Sequence, residues 1–401
     1  MYGPINEFLQ YVGGAATLWG LAWGIHKASV GRKRLSATGT YSRFVPMPGL
    51  RQEVKGFLNA FAEVQHEAAI GRGLAAIRHK THLQCRSYVR GVIDYALPRL
   101  LAVSTGSTFP SVSRSDIENI HVAVPPLAEQ QAIACMLEAL DDKIELNRRM
   151  NQTLEGMARA IFKSWFVDFD PVRTKAAGQN PPGLSSAIAD LFPDSVEDSE
   201  LGEIPKGWEA ATVGSHFRLT MGQSPPGSTY NDVGDGLPFF QGRTDFGFRF
   251  PTRRIFCSAP TRFAAPGDTL VSVRAPVGDV NIAIERCAVG RGVAAIRHRN
   301  GSRSFTYHSM HNLGEHFQKF EAEGTVFGSI NKSDFEKLPF VKPTGQVLEA
   351  FDRIASPIDD RIEVNEREAT TLAAVRDALL PKLMSGELRV PDAERIVGRC
   401  A

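Results

Sequence analysis

Arginine, glutamine and lysine recur in this chain on short stretches rich in glycine and proline. Gln223-Ser224, Gln241-Gly-Arg243, Arg274-Ala-Pro-Val-Gly278, Arg291 and Asn331-Lys332 stand between runs of β-forming residues, so each is expected on a loop. Arginine and glutamine side chains make bidentate hydrogen bonds with the edges of guanine and adenine, whereas lysine, serine and glycine N–H groups suit phosphate oxygens. Nearer the N-terminus, Arg72, Arg78 and Arg114 are the cations that could be offered to phosphate. Any one of these side chains is equally compatible with solvated surface charge. Taken together, on loops of basic segments, they point to a nucleic acid as ligand.

The charge distribution agrees with that reading. The formal net charge of +2 conceals an alternation of +7 over residues 1–125, −7 over 126–205, +5 over 206–343 and −3 over 344–401. Two basic blocks suited to a polyanion thus alternate with two acidic ones suited to solvent or protein contact. Catalytic chemistry has no comparable signature. There is no glycine-rich Walker A loop and no evident nuclease cluster of carboxylates with a lysine. Asn180-Pro-Pro-Gly183 resembles the Asn-Pro-Pro-aromatic motif of adenine methyltransferases, but glycine stands where the base-stacking aromatic belongs, and no cofactor loop accompanies it. The motif is therefore read as linker. Five scattered cysteines (Cys85, Cys135, Cys257, Cys287 and Cys400), with no CxxC pair, argue against a zinc site or a disulfide framework and for the cytoplasm.

The loops must be positioned by something rigid, and the strongest pattern in the chain is a long helix expected over Pro125–Phe166. Two prolines and Glu129 make a good helix start. Ile133, Leu137, Leu140, Ile144, Leu154, Ala158 and Ile161 then follow at spacings built from three and four, the seam of a coiled coil. Asn147 and Asn151 interrupt it. At 1.5 Å per residue such a helix is roughly 60 Å long. The pattern returns 218 residues later in Phe351, Ala355, Ile358, Ile362, Asn365, Leu372 and Leu379. Asp141-Asp-Lys-Ile144 matches Asp359-Asp-Arg-Ile362, and Asn147 matches Asn365. The repetition extends upstream: Phe109-Pro-Ser-Val-Ser-Arg-Ser-Asp116 matches Phe327-Gly-Ser-Ile-Asn-Lys-Ser-Asp334, and Ala69–His79 matches Ala288–His298. The chain is an internal duplication.

Between the helices the texture is β-rich. Leu237–Phe240, Thr269–Val273, Val280–Ile284 and Val293–Ile296 read as strands of one domain over 206–343. In the first copy, residues 68–124 keep only its end, with strands at Leu74–His79 and His121–Val124, a helix around Tyr88–Leu101 and a loop from Ser104 to Ser113. Residues 1–67 have no recognisable counterpart. Their apolar stretch Val12–Ile25 is too short to span a membrane, no basic region precedes it, and a buried helix is expected there. The remaining boundaries are a central helix at 125–170, a Pro-, Gly- and acid-rich linker at 171–205, a C-terminal helix at 344–390 and a tail at 391–401.

The arrangement resembles the specificity subunit of type I restriction–modification enzymes. The resemblance is carried by Val124-Pro-Pro-Leu-Ala-Glu-Gln-Gln131, Asp141-Asp-Lys-Ile-Glu-Leu-Asn-Arg148, Ile161-Phe-Lys-Ser-Trp-Phe-Val-Asp-Phe-Asp-Pro171, Leu201-Gly-Glu-Ile-Pro-Lys-Gly-Trp208 and Leu383-Met-Ser-Gly-Glu-Leu388. It covers residues 68–390. It implies an α/β fold of two β-rich target-recognition domains, the first incomplete here, separated by two long antiparallel coiled-coil helices under a pseudo-two-fold. Each domain would grip half of a split double-stranded DNA target, and the helices would fix the spacer. Methyltransferase and restriction subunits are the implied partners, and these would bind S-adenosylmethionine, ATP and magnesium. The chain itself is then expected to be non-catalytic, metal-free, without bound cofactor, cytoplasmic and not membrane-associated. A degenerate specificity protein, serving as a coiled-coil scaffold with one working DNA-reading domain, is the alternative. A self-contained methyltransferase is disfavoured by the missing cofactor loop.

Overall fold

The structure, a computed structural model, describes residues 2–4, 9–12, 16–17, 43–46, 60–63, 75–104, 111–322 and 328–400. Two helices dominate it, Leu127–Phe166 with 40 residues and Gly345–Ser385 with 41. The first begins after the proline pair, and the N–H groups of Glu129 and Gln130 bond to the Pro126 carbonyl. The second stops where Gly386 adopts a left-handed conformation at φ +77°, a common helix terminator. Contacts divide the chain into two compact units, 1–150 with 364–401 and 151–363, so each helix contributes one portion to each unit.

In the unit formed by residues 151–363, the antiparallel sheet runs in the order Phe217–Met221, Val293–His298, Thr269–Ser272, Val280–Ile282. A second sheet orders Tyr230–Asn231, Phe256–Cys257, Leu237–Phe240, Cys287–Val289 and Phe263–Ala264, with one parallel pair. The strands expected from short β-forming runs are present, with Thr269–Ser272 and Val280–Ile282 ending one and two residues earlier than expected. Helices Arg303–Asn312 and Gly314–Ala322 escaped the sequence reading; in the first, serines and histidines hide the apolar period, and the second has nine residues. The core joins Val271, Ile282 and Ile296 of the first sheet to the aromatic end of the first long helix. The Phe166 ring lies 5.1 Å from Phe305, 5.2 Å from Phe351 and 5.9 Å from Trp208. Burying each such ring contributes about 2–3 kcal/mol.

The segment 171–205, expected as a linker, is packed instead. It forms helices Asp170–Ala176 and Ser186–Ala189 and a hairpin of Val196–Ser199 with Gly202–Pro205. Its few apolar residues anchor it: Val172, Phe192 and Ile204 are buried, and Phe192 meets Trp165 edge-on at 5.0 Å.

In the other unit, helix Arg86–Val103 lies against both long-helix portions through Gly91. A Cβ there would meet Leu137 at 3.0 Å and Leu380 at 3.1 Å. The long-helix portions run antiparallel. Asn147 Nδ2 donates to Glu368 at 2.9 Å, while Asp141 accepts from Arg376 at 2.5 Å. Seam residues Ile133, Leu137, Leu140, Ile144, Leu372 and Leu379 are buried, as are Asn147 and Asn365. The expected tail is a helix, Val390–Cys400, secured by buried Val390 and Ala393.

The expectation that nothing in residues 1–67 corresponds to the second copy needs correction. Strand Tyr2–Pro4 pairs with His121–Ala123, and Leu9–Val12 pairs with Ala76–His79. Glu209–Thr212 and Phe217–Met221 pair with Pro339–Lys342 and Val293–His298 in the same way. The registers coincide: Gly3 faces Val122 as Ala211 faces Phe340, and Leu9 faces His79 as Phe217 faces His298. Only the strand register is shared, not residue identity, which is why the sequence showed no match. Val12 therefore ends a strand, and Ala16–Thr17 forms another with Ser111–Val112. The rest of the expected helix Val12–Ile25 lies outside the described residues, as does most of the loop from Ser104 to Ser113.

Candidate nucleic-acid interface

Three loops of the second domain meet because glycines let their backbones touch. A Cβ at Gly222 would lie 2.1 Å from the Gly290 carbonyl oxygen, and one at Gly292 would lie 2.2 Å from that of Gln241. Around this contact a cleft of about 500 Å³ opens, lined by Ser224, Gln241, Arg243, Thr244, Phe246, Arg274, Pro276 and Arg291. Five of the side chains singled out by type and spacing are thus gathered in one place. The Ser224 hydroxyl accepts from the Arg291 N–H at 3.3 Å, joining two of the loops.

The cleft walls are braced from behind. Asp245 is buried, accepts from the Gln241 N–H at 2.6 Å and holds Arg254 at 2.5 Å. On the opposite wall the Ser272 hydroxyl donates to the Pro276 carbonyl at 2.7 Å, closing the Arg274 loop. Arg243 binds Asp279 at 2.6 Å. Among the described residues, Arg274 and Arg291 have no acidic partner within ion-pair distance, and both are exposed. Asp245 and Asp279 carried no signal in sequence; both belong to loops whose cations drew notice first.

The other candidates lie elsewhere. Gln223 is exposed but does not line the cleft; its N–H bonds to the Val289 carbonyl. Lys332 opens helix Lys332–Glu336 behind the cap Asn331 and pairs with Glu336 at 3.5 Å. Arg114 occupies the matching position of helix Arg114–Glu118 behind the cap Ser113, and pairs with Glu118 at 2.7 Å. Arg78 is exposed on strand Ala76–His79, opposite Gln10. Arg72 lies outside the described residues.

A second polar constellation went unforeseen. Arg249, 1% exposed, binds Glu155 of the first long helix and Asp359 of the second, with its guanidinium 3.8 Å above the Tyr307 ring. Burial alone would push Glu155 upward, but Arg249 beside it holds the carboxyl below its ordinary range. At Asp359 burial prevails over Arg249 and the shift is upward. The buried histidines nearby serve structure. Burial depresses His298 to about 4 and His308 to about 3, so both are neutral at physiological pH. The His298 Nδ1 accepts the Asn300 N–H, as its counterpart His79 accepts that of His82. Among the described residues no group of acidic, cysteine or histidine side chains could hold a metal, and no helix is long and apolar enough to cross a membrane.

Residues 73–156 match the type I restriction modification DNA specificity domain. The chain is 31% identical over 284 residues to the MjaX specificity subunit of Methanocaldococcus jannaschii, covering 70% of this chain and 62% of that protein. It is 27% identical over 341 residues to the type I restriction enzyme HindI specificity subunit of Haemophilus influenzae, covering 72% and 74%. The fold is similar to that of a type I restriction-modification S subunit from M. genitalium, with a TM-score of 0.55, 13% identity and 96% of each chain covered. The chain belongs to the family of type I restriction–modification specificity subunits.

Proposed function

We propose that this chain reads a two-part double-stranded DNA target and positions methyltransferase and restriction subunits on it, without catalysing a reaction itself. The observation that carries the reading is the cleft, where Ser224, Gln241, Arg243, Arg274 and Arg291 converge between braced loops. Arginine and glutamine there suit base edges, and the charges of Arg274 and Arg291, without an acidic partner among the described residues, suit phosphates. The duplicated strand register supports a matching domain in the first half of the chain. It counts against a scaffold with only one reading domain. Two helices, each roughly 60 Å long, are the natural determinant of the spacer between half-sites. S-adenosylmethionine, ATP and magnesium belong, in this reading, to the partner subunits.

The decisive experiment maps methylated adenines in cells that carry this chain with its methyltransferase partner. A two-part motif, lost when the chain is deleted, is the expected result. A motif that survives deletion would assign target reading to another protein.

A further inference from the structure

Arg243 differs from the other cations of the cleft in how it is held. Its Nε binds the Asp279 carboxylate at 2.6 Å, and its Nη1 donates to the Phe246 carbonyl at 3.2 Å. We propose that Asp279 is a positioning residue that makes Arg243 a guanine-reading fork, the specificity determinant of this cleft. The inference rests on the DNA-reading function proposed above.

A guanidinium has five N–H donors in one plane. The two bonds take up the Nε hydrogen and one on Nη1, orient that plane, and leave three N–H donors, one on Nη1 and two on Nη2, for a base edge. Guanine presents O6 and N7 side by side in the major groove, and a paired arginine edge is its commonest specific partner. The backbone that carries the carboxylate is itself fixed. The Asp279 N–H bonds to the Ser272 hydroxyl at 2.9 Å, and the Ser272 N–H bonds to the Asp279 carbonyl at 2.9 Å. Gly278, at φ +96°, packs so tightly that a Cβ would lie 2.6 Å from Phe317, so the hairpin cannot shift inward.

The charge argument separates base from phosphate. A phosphate anchor works by net charge, and a carboxylate at 2.6 Å cancels much of that attraction. Arg274 and Arg291, with no acidic partner among the described residues, suit the phosphate role; Arg243 keeps geometry rather than charge. A base reader needs the geometry.

The test selects the full-length chain, alone and with its methyltransferase subunit, on a library of randomised DNA duplexes at two salt concentrations. The wild type, Arg243→Lys, Asp279→Asn and Asp279→Ala are compared. The wild type is expected to enrich a guanine at one position, and each variant to lose about tenfold of that preference. The Asp279 variants should keep or raise their affinity for unrelated duplex, because a negative charge has left the cleft. A merely structural role would lower both. If the variants weaken all sequences alike and Arg243→Lys leaves the guanine preference intact, Arg243 holds phosphate and the inference is wrong. A wild type that selects no sequence would overturn the proposed function and this inference with it. A wild type that selects sequence, with Asp279 variants selecting equally well, would overturn the inference alone.

Discussion

Two arginines six residues apart do different work, and local sequence does not tell them apart. Arg243 follows Gln241-Gly242 and faces the cleft; Arg249 lies in Phe246-Gly-Phe-Arg-Phe250 and is buried against two helices. Glycine and proline flanks mark loops well, so five cleft side chains were legible. A buried cation depends on partners 94 and 110 positions away, and no local pattern announces that. Removing it leaves Asp359 in the core without its ion-pair partner and Glu155 with the half-exposed Arg159 at 2.7 Å alone. Arg249→Ala is expected to destabilise the unit of residues 151–363 by about 3–5 kcal/mol in urea titration. A loss below about 1 kcal/mol would mean that water already solvates Glu155 and Asp359. The histidines set a pH dependence of known sign. His298 and His308 are depressed by burial to about 4 and about 3, below the ordinary 6.5, so the unfolded chain binds protons that the folded chain refuses. Their contribution is full above pH 6.5 and is lost as pH falls through that value toward the folded values. Denaturation midpoints should drop between pH 7 and pH 5, by the equivalent of about 1–2 kcal/mol per histidine. His308→Gln should flatten part of that drop, and an unchanged slope would place the titration elsewhere.

Among the elements, the long helices were the most legible, because a period of three and four sustained over ten turns has no strand alternative. Most of their seam positions are buried, including the polar Asn147 and Asn365, whereas Leu154, Ile161 and Ile358 are half-buried. Asn147 does not waste its burial: its amide nitrogen reaches Glu368 across the helix pair, while its Oδ1 has no hydrogen-bond partner among the described residues. Such a residue costs stability and fixes register. Replacing Asn147 and Asn365 together by leucine should raise the thermal midpoint while broadening the tolerated spacer length in a methylation map. An unchanged midpoint with an unchanged spacer would remove both residues from the register role. Strands near the N-terminus were the least legible elements. Tyr2–Pro4 and Leu9–Val12 are three and four residues long, too short for alternation to stand out, and what defines them is pairing with partners more than 60 residues away. Backbone register carries the duplication there after side-chain identity has gone.

At the scale of the whole molecule, the duplication bears on how many half-sites the proposed target reading would specify. Sequence identity alone favoured one competent domain, since the second copy has a counterpart for the first only from Ala288 onward. Strand pairing moves the balance. Leu9 follows Gly3 by six positions, as Phe217 follows Ala211, and each pair of strands caps the equivalent partners in the equivalent register. Without residues 2–12, strands His121–Ala123 and Ala76–His79 would each present an unpaired edge, a liability for folding and for aggregation. The two compact units should respond independently to that loss, because 151–363 shares none of those strands. The full chain is therefore expected to yield a methylation motif with specified bases in both halves. A variant lacking residues 2–12, assembled with the same methyltransferase, should keep the bases of one half and lose those of the other. Hydrogen exchange of that variant should show faster exchange at Ala76–His79 and unchanged protection at Val293–His298. A full-chain motif with bases specified in one half only would mean that the rebuilt strands support a domain that folds but does not read.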